Sequence, residues 1–220
     1  MFNLINMNKV KSIEQAVAEI QSGMTVMVGG FLSCGSPLRL LEMLSQSNVK
    51  DLTLICSDSA YPDKAHGKLI ANGQVRKLIT SHIGTNQATI DQMNAGSLEV
   101  EFIPQGTMAE CIRAAGAGLG GVLTPTGLGT LVENGKQKIT VDGKVFLLEK
   151  PLRADVALIG ASIGDKSGNL IYKGVTQNMN PLMATAAKKV IAEVDELVET
   201  GALDPETIHT PGIFVNYVAI

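Results

Sequence analysis

Between Val28 and Pro37 the chain reads VGGFLSCGSP, a glycine pair and a run of small residues set directly behind the apolar stretch Met24 to Val28. A stretch of that kind, partly β-branched, suits a buried strand. Gly29, Gly30 and Gly35 remove side chains where the backbone leaves it. Pro37 suits the first turn of a helix, where its missing N–H would have had no partner. Strand, glycine-rich turn and helix start together let a ligand come close to the backbone, with N–H groups aimed at it. The same residues also serve a tight βα turn that uses glycine for backbone reasons alone, since the spacing is neither GxGxxG nor a Walker loop. Cys34, inside the loop, is either a reactive thiol or a small apolar residue. Glu133-Asn134-Gly135, within TLVENGKQKIT, places a carboxylate beside what reads as a hairpin turn.

The elements that must position these residues alternate. Ser12 to Ser22 reads as a helix, with Ile13, Ala16, Val17 and Ile20 at helical spacing behind a serine cap. Pro37 to Ser45, Gln87 to Ala95, Thr107 to Ala115 and Asn180 to Lys188 read as further helices. Leu52 to Cys56, Val75 to Thr80, Ala154 to Ile159 and Val190 to Val194 read as buried strands. Leu98 to Phe102 alternates strictly, with Glu99 and Glu101 on a wet face. Asp142-Gly143, between ITV and KVFLL, is a strong hairpin signal. Strands alternating with helices predict an α/β fold: an open, largely parallel sheet with helices on both faces and one appended β-hairpin. With no repeat, linker or charge run, residues 1–220 read as a single domain.

Composition excludes several classes. The chain has 220 residues, 45% hydrophobic and 18% charged, with a net charge of −3, which gives no electrostatic case for nucleic acid. Aromatics are 4% and Trp is absent, so base-stacking platforms are lacking. No apolar run reaches the ~18 residues of a membrane helix, and the opening MFNLINMNKVK has no signal pattern, so a cytoplasmic protein is expected. Three cysteines, Cys34, Cys56 and Cys111, in no CxxC or Cys/His spacing, predict neither a disulfide framework nor a metal site.

VGGFLSCGSP resembles the GGFxxxGxP signature of the family I CoA-transferases, in the half called the alpha or A subunit. Four further stretches follow in family order: SHIGTN (Ser81 to Asn86), IPQGT (Ile103 to Thr107), GAGLGGVLTPTGLGTLVENGK (Gly116 to Lys136) and NMNPLMATAA (Asn178 to Ala187). The resemblance covers nearly the whole chain and is strongest to the bacterial acetate/acetoacetate and butyrate–acetoacetate alpha subunits. It implies an enzyme that moves CoA between an acyl-CoA and a short-chain carboxylate or 3-oxoacid through a glutamyl–CoA thioester, with CoA thioester as substrate and no other cofactor. In that family the nucleophilic glutamate belongs to the beta subunit, so the resemblance implies a beta-subunit partner in an α2β2 or larger heteromer.

For this chain's own residues the resemblance implies one wall of a shared site. Gln105, in IPQG, matches the family glutamine whose amide holds the oxyanion of the tetrahedral intermediates, a role suited to a neutral donor fixed after a strand. The loop Gly29, Gly30, Phe31, Leu32, Ser33, Cys34 and Gly35 matches the stretch associated with CoA. Glu133 then reads as a turn residue, not the nucleophile. His82 reads either as a general base near neutral pH or as a ring packed beside glycine, the second favoured because carboxylate exchange needs no histidine base. Arg113 reads either as a residue steering the CoA phosphates or, more in keeping with a lone helix arginine, as solvent-paired. Two departures from the pattern stand out: Ser57 where relatives carry Asn, and Gln177 where they carry Arg before Asn178-Met179-Asn180-Pro181. Two other readings compete. An acyl-CoA or nucleotide sensor of the same fold would bind without a catalytic partner. A sugar-phosphate isomerase would need an acid, base and lysine cluster that these residues do not assemble.

Overall fold

A parallel sheet covered by helices must be apolar on both faces, and the strands of this chain meet that demand. The structure, a computed structural model, describes residues 8–220; most of the opening segment read for a signal pattern lies outside them. In chain order the elements are β1 (Val10–Lys11), α1 (Ile13–Val17), β2 (Thr25–Val28), α2 (Leu38–Ser45), β3 (Leu52–Ile55), α3 (Gly67–Ala71), β4 (Val75–Thr80), α4 (Gln87–Asn94), β5 (Glu99–Phe102), α5 (Gln105–Gly116) and β6 (Val122–Thr124). Then follow β7 (Lys138–Val141), β8 (Lys144–Glu149), β9 (Ala154–Asp165), β10 (Leu170–Ile171), α6 (Asn180–Ala186), β11 (Ala187–Val198) and β12 (Tyr217–Ala219). The large sheet runs β1-β12-β11-β9-β2-β3-β4-β5, parallel at every step, with β10 antiparallel beside β9. No helix among the described residues is long and apolar enough to cross a membrane.

Alternate strand residues enter opposite layers of the core. Val26, Val28, Leu54, Cys56, Leu78, Val156 and Leu158 face α1 to α4, where Leu40, Leu41, Leu44, Leu69 and Ile70 pack. Met27, Ile55, Ile79, Ala157 and Ile159 face α5 and α6, where Met108, Ile112 and Met183 pack. Leu40, Leu41 and Leu44 are wholly buried, each worth about 1.5–3 kcal/mol. The open parallel sheet and its two helical layers are thus those the sequence predicts.

Several boundaries differ, each for a local reason. Ser12 caps α1 reciprocally with Gln15, but the helix ends at Val17 instead of Ser22. Beyond it the chain tightens into three-residue turns, Glu19 N to Ala16 O at 3.2 Å and Ile20 N to Val17 O at 3.0 Å, that still bury Ile20. The helix expected from Thr107 begins at Gln105. α6 stops at Ala186, because Ala187 turns extended and leads straight into β11. β9 and β11 each run for twelve residues, well past Ile159 and Val194. The Asp142-Gly143 hairpin joins β7 to β8, with both turn residues at positive φ, yet β6 adds to it, so the appendage is a three-stranded antiparallel sheet. Asn134-Gly135 is no hairpin. Asn134 (φ −61°, ψ 127°) and Gly135 (φ +73°) form a type II turn after a single 3₁₀ turn at Leu131–Glu133.

Candidate active site

Strand order reverses at β2: its connection leads to β3 on one side while β9 flanks it on the other. The crevice beyond the carboxyl ends of the strands at such a point is where open α/β sheets take their ligands. Gathered at that edge are the Gly29–Gly35 loop after β2, Ser57 after β3, His82 after β4 and Gln105 after β5.

The loop is a strained turn held from outside. Phe31 N donates to Cys34 O at 3.0 Å and Cys34 N to Phe31 O at 2.9 Å. The two residues between, Leu32 and Ser33, stand at φ +47° and +77°. That conformation favours glycine or asparagine, and in other L-residues it costs roughly 1–2 kcal/mol each, so the surroundings must enforce it. Asn178 accepts from Gly30 N at 3.1 Å and donates to Cys34 O at 3.2 Å. Asn180, fully buried, donates to Gly35 O at 2.9 Å and to Thr176 O at 2.8 Å. From the other side, an Asp58 oxygen accepts from Leu32 N at 3.1 Å. The glycines leave room for these clamps. A Cβ on Gly29 would sit 1.7 Å from Asn180 Oδ1, and one on Gly160 of β9 would sit 2.5 Å from Gly35 O.

The far end of the loop is fixed as well. α2 has no side-chain cap of its own. Glu193 of β11 supplies one across the sheet, accepting from Arg39 N at 3.2 Å and Leu40 N at 2.9 Å, where a carboxylate also suits the positive end of the helix. The N–H groups of Gly29, Gly30, Phe31, Leu32, Cys34 and Ser36 have partners within the protein, so of the loop's backbone donors only those of Ser33 and Gly35 are not already engaged.

Gln105 opens α5, and its Nε2 donates to Ser57 Oγ at 3.0 Å. Ser57 is buried, whereas Gln105 is exposed. Both line a cavity of about 500 Å³ with Gly30, Phe31, Val175, Asn178 and Met179. Serine in place of a longer amide therefore still reaches Gln105 and orients it. Phe31 is 46% and Val175 78% exposed; the cavity has an apolar rim open to one side.

Cys34 is exposed, unlike Cys56 and Cys111, so the reading of it as a small packed residue is corrected. Burial raises the thiol pKa of Cys56 and, helped by Glu149, pushes that of Cys111 to about 11. His82 is exposed, its ring set against Gly84, as the packing reading has it. Arg113 pairs with Glu110 at 2.6 Å. Glu133 accepts from Gly129 N at 2.7 Å and pairs with Lys138 at 3.0 Å; these contacts lower its pKa. It is a turn residue and does not line the cavity that Gln105 lines. The Gln177 side chain is exposed. Sequence reading gave no individual role to Asp58, Asn178, Asn180 or Glu193. The sole hint was an acidic residue between two serines and two asparagines before a proline, and the partners lie more than a hundred residues apart for the last three.

An open α/β sheet thus carries a clamped glycine loop and an oriented amide at its carboxyl edge, beside a cavity with an apolar rim. Residues 10–220 match the family model described as Coenzyme A transferase. The chain is 52% identical over 211 residues to the acetoacetyl-CoA:acetate/butyrate CoA transferase alpha subunit of Clostridium acetobutylicum, covering 96% of this chain and 97% of that one. It is 53% identical over 212 residues to the acetate CoA-transferase subunit alpha of Escherichia coli, covering 96% of each. In fold it is similar to glutaconate coenzyme A-transferase from Acidaminococcus fermentans, with a TM-score of 0.86 at 23% identity over 96% of this chain and 75% of that one. The chain belongs to the coenzyme A transferase family, as an alpha subunit.

Proposed function

We propose that this chain is the non-nucleophilic wall of a heteromeric CoA-transferase that moves CoA between an acyl-CoA and a short-chain carboxylate or 3-oxoacid. The observation that carries the proposal is the make-up of the cavity. It is lined by Gly30, Phe31, Ser57, Gln105, Val175, Asn178 and Met179, two amides and a hydroxyl without a carboxylate among them. Asp58 lies next in sequence but is 1% exposed and hydrogen-bonded to two backbone N–H groups. A glutamate nucleophile has to enter from a second chain, and the open apolar rim leaves it room.

In that scheme a glutamate carboxylate of the beta subunit attacks the thioester carbonyl and expels CoA thiolate, leaving an acyl–glutamyl anhydride. The thiolate then attacks the glutamyl carbonyl, releasing the first carboxylate and leaving a glutamyl–CoA thioester. A second carboxylate reverses both steps and departs with CoA. Covalent catalysis of this kind divides one exchange into easier steps and keeps the thioester energy on the enzyme. Each tetrahedral intermediate carries an oxyanion, and the Gln105 amide, already oriented by Ser57, is the donor this chain supplies. The Gly29–Gly35 surface lies against the acyl-thioester arm. Relatives termed alpha subunits support a beta-subunit partner, which this reading places in an α2β2 or larger assembly. Co-expression tests the division of labour: transferase activity should need a second chain, and robust turnover by this chain alone would refute it.

A further inference from the structure

We propose that Asp58 is a positioning residue that keeps the Phe31–Cys34 turn in its strained form and in register with Gln105. The proposal rests on the reading of that turn as the surface met by the acyl-thioester arm. Asp58 Oδ2 accepts from Leu32 N at 3.1 Å, and Oδ1 accepts from Ala60 N at 2.8 Å. Leu32 and Ala60 both stand in the left-handed region, at φ +47° and +52°. One carboxyl group therefore holds two residues in a conformation their side chains oppose.

The group that does this is itself immobilised. His66 donates its Nε2 proton to Asp58 O at 2.6 Å; burial lowers the pKa of this histidine, which keeps it neutral with that tautomer. Ser57 O accepts from Ser81 N at 3.1 Å, and Ser59 N donates to His82 O at 3.1 Å. Both flanking peptides are thus tied to the end of β4. Ser57 meanwhile holds Gln105. Two neighbouring residues on one rigid segment set both walls of the cavity, Ser57 the amide and Asp58 the turn. A shift of the turn relative to Gln105 of even 1 Å would be expensive in rate.

Cys34 provides the readout, because it closes the turn and is exposed while Cys56 and Cys111 are buried. The full chain carrying Asp58→Ala or Asp58→Asn is treated with a maleimide, and labelled peptides are quantified by mass. Asp58→Ala should label Cys34 faster than the parent, because an unclamped turn samples forms that present the thiol more fully, with Cys56 and Cys111 still protected. Asp58→Asn, whose amide oxygen can serve only one of the two N–H groups, should fall between, and it carries the test if the alanine variant does not fold. In the assembled enzyme KM for acyl-CoA should rise about tenfold, the size of one lost hydrogen bond to a charged group, and KM for the free carboxylate far less. Unchanged Cys34 labelling in a protected fold would overturn the role of Asp58, whatever the kinetics. Faster labelling with both KM values unchanged would uphold Asp58 as the clamp of the turn and refute instead the reading of the turn as the CoA surface.

Discussion

Gly160→Ala tests whether close approach of β9 to the glycine loop sets the site. A methyl group there would lie 2.5 Å from Gly35 O and 3.1 Å from the carbonyl carbons of Gly35 and Ser36. All three neighbours are backbone, so no side chain can rotate away, and the loop has to retreat by most of an ångström to reach ordinary contact. Gly160 N also donates to Asn180 Oδ1 at 3.3 Å, so the retreat disturbs the clamp that holds Gly35. Overpacking of this kind costs about 1–3 kcal/mol, which for a chain of this size lowers Tm by roughly 2–4 °C per kcal/mol. Misplacement near 1 Å costs up to about 10²-fold in rate. The assay is kcat/KM of the complex assembled with its beta subunit, beside a melting curve. Gly120→Ala serves as the control, since a methyl there meets nothing within 4 Å. Full activity and an unchanged Tm in Gly160→Ala would refute the claim that this contact positions the loop.

Three further outcomes are expected. Gln105→Ala in the assembled enzyme should lower kcat by about 10²-fold or more, the scale for one lost oxyanion donor, with a smaller change in KM; an unchanged kcat would leave Gln105 a purely structural residue. Glu133→Gln should keep most activity and leave stability nearly unchanged, because it removes only the pairing with a half-exposed Lys138; loss of turnover with intact assembly would contradict the turn reading. The Glu19 carboxyl, hydrogen-bonded by Lys11 and Lys189, has its pKa lowered to about 2, below its unfolded value, so its contribution is present above about pH 4.5 and fades as pH falls toward 2. The stability gap between the parent and Glu19→Gln, about 1 kcal/mol for a partly screened pair at the surface, should therefore narrow across that range, and a constant gap would exclude the ion pair as its cause.

How legible the chain was depends on whether the signal is local. LTLI at Leu52–Ile55 reads as a doubly buried strand because its apolar side chains are contiguous, and it is buried throughout. Past Ile159, β9 continues as Gly160, Ala161 and Ser162. Those small residues mute the strand pattern, because the glycine loop lies against that segment. Polar Asp195 and Glu196 hide the far half of β11 in the same way. Asn134-Gly135 and Asp142-Gly143 look equivalent as dipeptides. Only the second has strands on both sides, because Leu131–Glu133 coils into a 3₁₀ turn instead of extending. Gln105 was legible through its motif, but its orientation by Ser57 spans 48 residues, and the Asn178 and Asp58 clamps join segments that periodicity cannot pair. The glycines were visible, and what their missing side chains make room for was not.

The central claim is that the covalent intermediate forms on the other chain. Incubating the assembled complex with acyl-CoA, trapping the thioester with borohydride or hydroxylamine and locating the modified glutamate by mass tests it directly. The label should map to a glutamate of the beta subunit, with every peptide of this chain unmodified. A label on the peptide containing Glu133, together with lost activity in Glu133→Gln, would make this chain the nucleophilic subunit and contradict the account.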